Sequence, residues 1–587
     1  MKSFLKSVLA AMIGVLLASI VGFFLFIGLI AALVSSGDNK EVKVKDGSVL
    51  HIQLSEKVTE RTSKNPFDNF DLGSLSSKKS QPGLNDILQE LNFAKTDANI
   101  KGIFLDVPSV AMGMATMEEV RNALIDFKKS GKFIYAYAEN YSQGAYYLVS
   151  VADKIYLNPQ GSLALTGLST EIMFLKGTLD KLEIEPQIIR HGKFKSAVEP
   201  YIRESMSDEN RAQIAGFVNP IWNHIVTNVA ASRKITPAAI NLMADSLKIN
   251  EAKDAMDNKL VDKLAYYDEF MDDLSVKAGK KKGEAPEFIT LNKYKNASVV
   301  TSTASDKIAV IYANGEISGG EGDDEKIGSE TLAKTIADAR KDDKIKAIVL
   351  RVNSPGGDAL ASDIIWREVV LAKKVKPVVV SMGDLAASGG YYISCAANKI
   401  VAEPTTLTGS IGVFGLMFNA QNMFKNKLGI TFDTYKTNNY GDIGTMNRPM
   451  TESERVIIQR SVDQVYNTFT SRVAEGRKMK QEDVDSIAQG RVWSGVDAKR
   501  IGLVDEIGNI NDALRIAADL AKIKDYRIKS MPEQKEPFEE IMSGLSEEAK
   551  VWYFQSTLGD QYYILKELQS IKNKQGVQAR TFYNLSF

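Results

Sequence analysis

The chain holds a single cysteine, Cys395, among its 587 residues, which excludes an intrachain disulfide and a cysteine-rich zinc site together. Histidine is almost as scarce. With only His51, His191 and His224 present, a multi-histidine metal centre lacks ligands, and a Ser-His-Asp triad would have to draw on one of these three. Charge of one sign is missing too: 73 basic and 73 acidic residues cancel to a formal charge of zero. That balance speaks against a chain-wide basic field, and so against nucleic acid as a partner. Hydrophobic residues, at 44%, are sufficient for sizeable cores, and the length accommodates more than one domain.

Lys2 and Lys6 precede an uncharged run from Ser7 to Gly37, rich in Leu, Ile, Val, Phe and Ala. At about 1.5 Å per residue, a helix from Val8 to Val34 reaches about 40 Å, more than the roughly 30 Å hydrocarbon core of a bilayer. The apolar region of a secretory signal peptide is usually only about 7 to 15 residues, so the run reads as an uncleaved transmembrane helix. Lys2 and Lys6 place the N-terminus on the cytoplasmic side, against the contrary vote of Lys40, Lys43 and Lys45, and the body is expected outside.

The rest of the chain is written twice. "NIKGIFLDVPSVAM" (Asn99 to Met112) aligns with "KIKAIVLRVNSPGG" (Lys344 to Gly357) at an offset of 245, and "SQGAYYLVSVADKIYLNP" (Ser142 to Pro159) with "ASGGYYISCAANKIVAEP" (Ala387 to Pro404) at the same offset. "ESMSDENR" (Glu204 to Arg211) matches "RPMTESER" (Arg448 to Arg455) at 244. Within each copy, short β-branched runs alternate with helical stretches: Ile345 to Val352 reads as a strand, Leu360, Ile364 and Leu371 as the apolar face of a helix, and Val378 to Val380 as the next strand. Near-continuous apolar strands joined by helices predict an α/β fold with a largely parallel sheet covered on both faces. The domains are placed at 1–45 (anchor and linker), 46–290 (first repeat), 300–530 (second repeat) and 531–587 (a charged tail of helical period), with "KAGKKKGEAPE" (Lys277 to Glu287) near the join.

Where two copies of one fold disagree, chemistry has been divided between them. Gly356 and Gly357 of "NSPGGDAL" follow a strand and precede a helix, where backbone can approach a ligand and aim N–H groups at an oxyanion; the first copy has Ala111 and Met112 there. Ser388 of "AASGGYY" lies at a loop-to-helix junction and faces Gln143 in the alignment, with Ser142 one place early. A serine hydroxyl needs a base. "RHGKFKSAVEP" carries Lys193 and Lys195, which face Thr437 and Asn439 in a second copy without lysine at either position. A lysine acts as a base only when neutral, which requires burial or a neighbouring cation to lower its pKa from about 10.4. Cys395, in an apolar stretch without a basic neighbour in sequence, reads as a small core residue.

Taken together, "GKFKSAVEP", "NSPGGD", "AASGGYY" and "TLTGSIGVFG" resemble the signal peptide peptidase A (protease IV) family in its long duplicated form, over almost the whole chain. The resemblance implies tandem duplicated Clp-protease/crotonase-like domains behind an N-terminal transmembrane helix. It also implies a serine endopeptidase with a Ser–Lys dyad and no cofactor or metal ion. By motif, Ser388 is then the nucleophile, Lys195 the general base and Ser410 the hydroxyl that orients the amine. Gly356, Gly357 and the N–H of Gly389, the last from its place after the nucleophile, would form the oxyanion hole. Expected substrates are remnant signal peptides left in the membrane after signal peptidase has acted, bound by strand addition along the glycine-rich edge. The expected assembly is a bowl-shaped homotetramer in the cell inner membrane with its body on the periplasmic side. Two other classes stay in view, a crotonase-type acyl-CoA enzyme and a catalytically silent membrane scaffold. The anchor and the Ser388 and Lys195 pair argue against the first, and the intact serine, lysine and glycines against the second.

Overall fold

The computed structural model describes residues 6, 12–15, 17–19, 21–22, 43–63, 70–71, 76–77, 82–297, 303–534 and 576–580. The expected anchor from Val8 to Val34 falls for the most part outside these residues. Among the described residues, no helix is long and apolar enough to cross a membrane.

The first half alternates β1 (Ser48–Ile52), α1 (Leu84–Thr96), β2 (Ile100–Leu105), α2 (Met114–Lys128), β3 (Phe133–Tyr141), α3 (Gln143–Val149) and β4 (Lys154–Leu163). Then come an arm, β5 (Glu185–His191), the long α4 (Asp208–Arg233), β6 (Lys263–Leu264) and β7 (Phe288–Thr290). The second half runs β8 (Lys307–Asn314), β9 (Glu316–Ser318), β10 (Lys326–Gly328), α5 (Ser329–Lys341), β11 (Ile345–Ser354), β12 (Gly356–Asp358), α6 (Ala359–Lys373), β13 (Val378–Ala387), α7 (Gly389–Ser394), β14 (Lys399–Ala402) and β15 (Leu407–Gly409). It continues with β16 (Val413–Asn419), α8 (Glu452–Arg477), β17 (Val492–Ser494), β18 (Glu506–Ile507), α9 (Ile510–Ala521), β19 (Arg527–Met531) and β20 (Gly576–Arg580).

Each half builds one parallel sheet, in the order β6-β4-β3-β2-β1-β7 and β17-β15-β13-β11-β8-β19; in the second, only the β15–β17 pair is antiparallel. Strands β2, β3 and β4 recur 245 residues later as β11, β13 and β14, so the offset read from letters is an offset of topology as well. Strands β2, β11 and β14 are buried almost end to end because helices cover both faces, and burial in β11 is interrupted only at Lys346 and Asn353; β4 is buried only at Ile155–Leu157 and at Leu163. The α6 helix forms where expected, but its buried face does not: Leu360 is 70% and Ile364 42% exposed, while Ala361, Ile365, Trp366, Val369 and Ala372 pack inward. The sheet selects the face one residue on, because a helix entering directly from β12 has its rotation set by that strand.

A third sheet, β10-β9-β12-β20-β16-β5, joins the halves. Its outer pair is the arm of the first half laid antiparallel on the second, in register from His191↔Val413 to Glu185↔Asn419. Behind it, Arg351 of β11 is fully buried and pairs with two carboxylates of the first half, Glu60 at 2.8 Å and Glu119 at 2.6 Å. Glu60 also accepts from the amide of Asn353 at 3.1 Å. Most of the tail, whose letters are helical in period, lies outside the described residues; its residues 576–580 form a strand.

Candidate active site

Strand β13 runs straight into Ser388, so the junction is strand to helix with no loop between. Ser388 caps α7 at φ 56° and ψ −113°, and its side chain makes no cap bond. This left-handed backbone costs a non-glycine residue about 1–3 kcal/mol and is held here by its surroundings, including the bond from Ser388 N–H to the Gly409 carbonyl at 2.8 Å. The comparison with the first copy is direct. Ser142 sits at an ordinary φ of −67° and spends its hydroxyl accepting from the Ala145 amide. Gln143 turns its side chain onto the loop beyond β4: its Oε1 accepts from Thr166 and Gly167 N–H, and its Nε2 donates to the Gly167 carbonyl, all at 2.9 Å. Where the second copy has Ser388, the first has a brace.

Lys195 follows the arm β5. Its amine lies 2.9 Å from Ser388 Oγ, 3.1 Å from Ser410 Oγ and 3.2 Å from the Ser410 carbonyl oxygen. Lys195, Ser388 and Ser410 are all buried, and the amine's polar neighbours are neutral oxygens. Burial without a compensating anion pushes the Lys195 pKa well below the ordinary lysine range. Lys193, two residues earlier, is exposed. What sequence reading missed is the sleeve around the lysine stem. A Cβ on Gly490 would lie 2.7 Å from Lys195 Cβ, one on Gly412 would lie 3.3 Å from its Cδ, and Phe194 N–H donates to the Gln489 carbonyl at 2.9 Å. Gln489 and Gly490 belong to no motif and stand almost three hundred residues away, so only the fold could bring them in.

The three glycines converge on the serine. Gly356 has φ +95°; a Cβ there would lie 2.6 Å from Gly389 N, and one on Gly389 would lie 3.1 Å from Gly357 N. Gly356 N–H donates to Ser354 Oγ at 3.1 Å. A Cβ on Gly357 would strike the Ile317 carbonyl oxygen at 2.0 Å, which fixes glycine there. Gly356→Ala is therefore expected to crowd the space before Gly389 and lower kcat about 100-fold, the scale of one lost oxyanion donor, as read by steady-state peptide hydrolysis.

The histidines lie elsewhere, each beside its own carboxylate: His51 with Asp106, His191 with Asp463 and His224 with Glu118. Cys395 is buried in the second core, its thiol pushed up to about 12 by that burial.

Comparison with known proteins places these features in company. The model of peptidase family S49 matches residues 126–281 and 371–524, one segment in each half, and the Clp protease model matches 301–406. Protease 4 of Salmonella typhi is 38% identical over 545 residues, covering 89% of this chain and 87% of that protein. Protease 4 of Haemophilus influenzae is 38% identical over 447 residues, covering 74% and 72%. The chloroplastic serine protease SPPA of Arabidopsis thaliana is 33% identical over 553 residues, covering 92% and 78%.

Proposed function

The chain belongs to peptidase family S49 and is a serine protease, and from that premise we propose that it cleaves peptide bonds with Ser388 as nucleophile and Lys195 as general base. One observation carries this reading: a buried amine without a charged partner lies 2.9 Å from a serine held in a strained backbone conformation. The neutral amine takes the Ser388 proton as Oγ attacks the peptide carbonyl carbon. Negative charge then develops on the carbonyl oxygen, facing the Gly389 amide at the start of α7 and the Gly357 amide. The Gly356 amide is engaged by Ser354, so this glycine serves by leaving room. The ammonium gives its proton to the leaving nitrogen, and the regenerated amine activates the water that hydrolyses the acyl-enzyme. Ser410 supports the amine through both its hydroxyl and its carbonyl oxygen.

The same reading makes the run from Val8 to Val34 the membrane tether, with the body on the periplasmic side of the inner membrane and remnant signal peptides as substrates. An uncharged segment of that length supports the tether. Assembly as a homotetramer belongs to this proposal as well. It is supported by an exposed apolar stretch in the second half, with Leu428, Ile430 and Phe432 open to solvent and Tyr435 94% exposed.

A serine-directed acylating reagent is expected to label Ser388 in the wild type and nothing in Ser388→Ala; labelling elsewhere, with Ser388 untouched, rejects the assignment. The pH profile is a second check. Activity requires the uncharged amine, so kcat/KM should rise with pH through the depressed Lys195 pKa and level off below the ordinary lysine value of about 10.4. A profile flat from about pH 5 to 10 contradicts a lysine base.

A further inference from the structure

The segment from Gln489 to Val492, which leads into β17, gives its backbone bonds to both sides of the Lys195 amine. The Gln489 carbonyl accepts from Phe194 N–H, next to the lysine, at 2.9 Å. Gly490 N–H donates to the Ile411 carbonyl at 2.8 Å, and the Arg491 carbonyl accepts from Ser410 N–H at 2.7 Å. Gln489 has φ 54°, a left-handed conformation that a non-glycine residue keeps only where its surroundings fix it.

Two side chains do the fixing, one at each end. Tyr466 of α8 accepts from Gln489 N–H on its hydroxyl oxygen at 3.3 Å and donates the hydroxyl proton to Asp485 Oδ1 at 2.5 Å. Burial raises the Tyr466 pKa, so the phenol keeps the proton that this arrangement requires. Its ring stacks on His191, the last residue of β5, with 3.9 Å between centroids, and His191 Nδ1 lies 2.8 Å from Asp463 Oδ1. Gln213 of α4 is buried; its Oε1 accepts from Val492 N–H at 2.8 Å and its Nε2 donates to the Phe194 carbonyl at 3.4 Å. Neither device is duplicated. Helices α4 and α8 match at the offset of 244, which sets Tyr466 against Trp222 and Gln213 against Ile457. Trp222 instead gives its Nε1–H to Asn241 Oδ1 at 2.8 Å, and Ile457 is exposed.

We propose that Tyr466 and Gln213 are positioning residues for the general base: gripping residues 489–492 from the two ends, they keep the sleeve closed on the lysine stem and water away from the amine. The inference rests on the protease reading of the site and adds to it what holds the base in place. The amine bonds to Ser388 and Ser410 oxygens, so its uncharged form depends on the exclusion of water. The charged and titratable groups that face Tyr466 and the segment are His191 on β5, Asp463 on α8, Asp485 on the helix Gln481–Ile487, and Arg491, whose guanidinium lies over the Phe194 ring. The amine bonds to none of them. Without the Tyr466 hydroxyl, Gln489 N–H loses its acceptor and the segment draws back from the lysine stem. Water then solvates the ammonium, which holds its proton to higher pH.

The test follows kcat/KM for peptide hydrolysis against pH in the full-length wild type, Tyr466→Phe and Gln213→Met, with urea denaturation of each form. Tyr466→Phe keeps the ring on His191 and loses only the hydroxyl. Both variants should show the rise of kcat/KM displaced upward by about one pH unit, hence about ten-fold lower activity on the rising limb and a plateau within about two-fold of the wild type. An undisplaced profile overturns the proposal. A loss of equal size at every pH also overturns it, because the frame is then damaged and the base unchanged. Where Gln213→Met does not fold, Tyr466→Phe decides alone. An independent reading is the titration of the Lys195 Cε resonance in lysine-labelled full-length protein carrying Ser388→Ala, identified by its absence in Lys195→Met. Tyr466→Phe should move its midpoint upward by the same amount. Hydrolysis by the wild type with the midpoint unmoved rejects the positioning role and leaves the protease reading intact. A moved midpoint in a protein that hydrolyses no peptide upholds the positioning of the amine and rejects the protease reading.

Discussion

Lys195→Met is expected to lower kcat about 1,000-fold, the range in which a positioned general base operates, while leaving the folded protein at least as stable at neutral pH. The two halves of that expectation share one cause. The amine is buried among neutral oxygens, and desolvation depresses its pKa. Between that depressed value and about 10.4 the unfolded chain binds a proton that the folded chain does not, so stability rises with pH across this window and is reduced below it. Methionine fills similar space without the amine. It removes the desolvation penalty together with the base, and the pH slope of stability that comes from this residue should disappear. Kinetics and urea denaturation at several pH values read both effects on one variant. A loss of activity accompanied by a marked loss of stability would mean that the lysine is a structural strut, and retained activity would remove its assigned role.

The second large effect is expected far from the chemistry. Arg351→Ala should destabilise the protein by about 3–5 kcal/mol, because it leaves Glu60 and Glu119 buried without their cation. The neighbouring Glu403 is already pushed well above the usual carboxylate range, by burial first and the Glu119 charge second. Removing the guanidinium should drive further protonation in this cluster, so the deficit should shrink as pH falls. Because Glu60 also holds Asn353, whose Oδ1 accepts from Leu385 N–H at 3.2 Å, the loss should loosen β11 and β13, the two strands that lead into Gly356 and Gly357 and into Ser388. Urea denaturation of the wild type and the variant gives the number. A change below about 1 kcal/mol would show that the cluster is wet and the pairing incidental.

Much of this molecule was legible in its letters. The duplication could be read because strands and helices repeat their local patterns at a fixed offset, and the sheet orders repeat with them. Ser388 stood out against Gln143, and the paired glycines against Ala111 and Met112, because loss of chemistry in one copy is visible as a change of residue type. Lys195 could be narrowed only to a pair with Lys193 until the motif as a whole was considered; exposure separates the two at once. Other features carry no local signal. Leu360 and Ile364 fit a helical stripe as well as their inward neighbours do, and the rotation of α6 follows from the strand that feeds it. Among the described residues, the strand at 576–580 pairs only with β12 and β16, both more than 150 residues earlier in the sequence.

The residue types and their repetition were determined by the sequence alone, since they depend on what each short stretch prefers to form and bury. Whether the amine of one half is uncharged, and whether it reaches the hydroxyl of the other, was decided by the tertiary structure. Desolvation and distance are properties of the surroundings, and here those surroundings are assembled from an arm near residue 190, a strand at 413–419 and a glycine at 490.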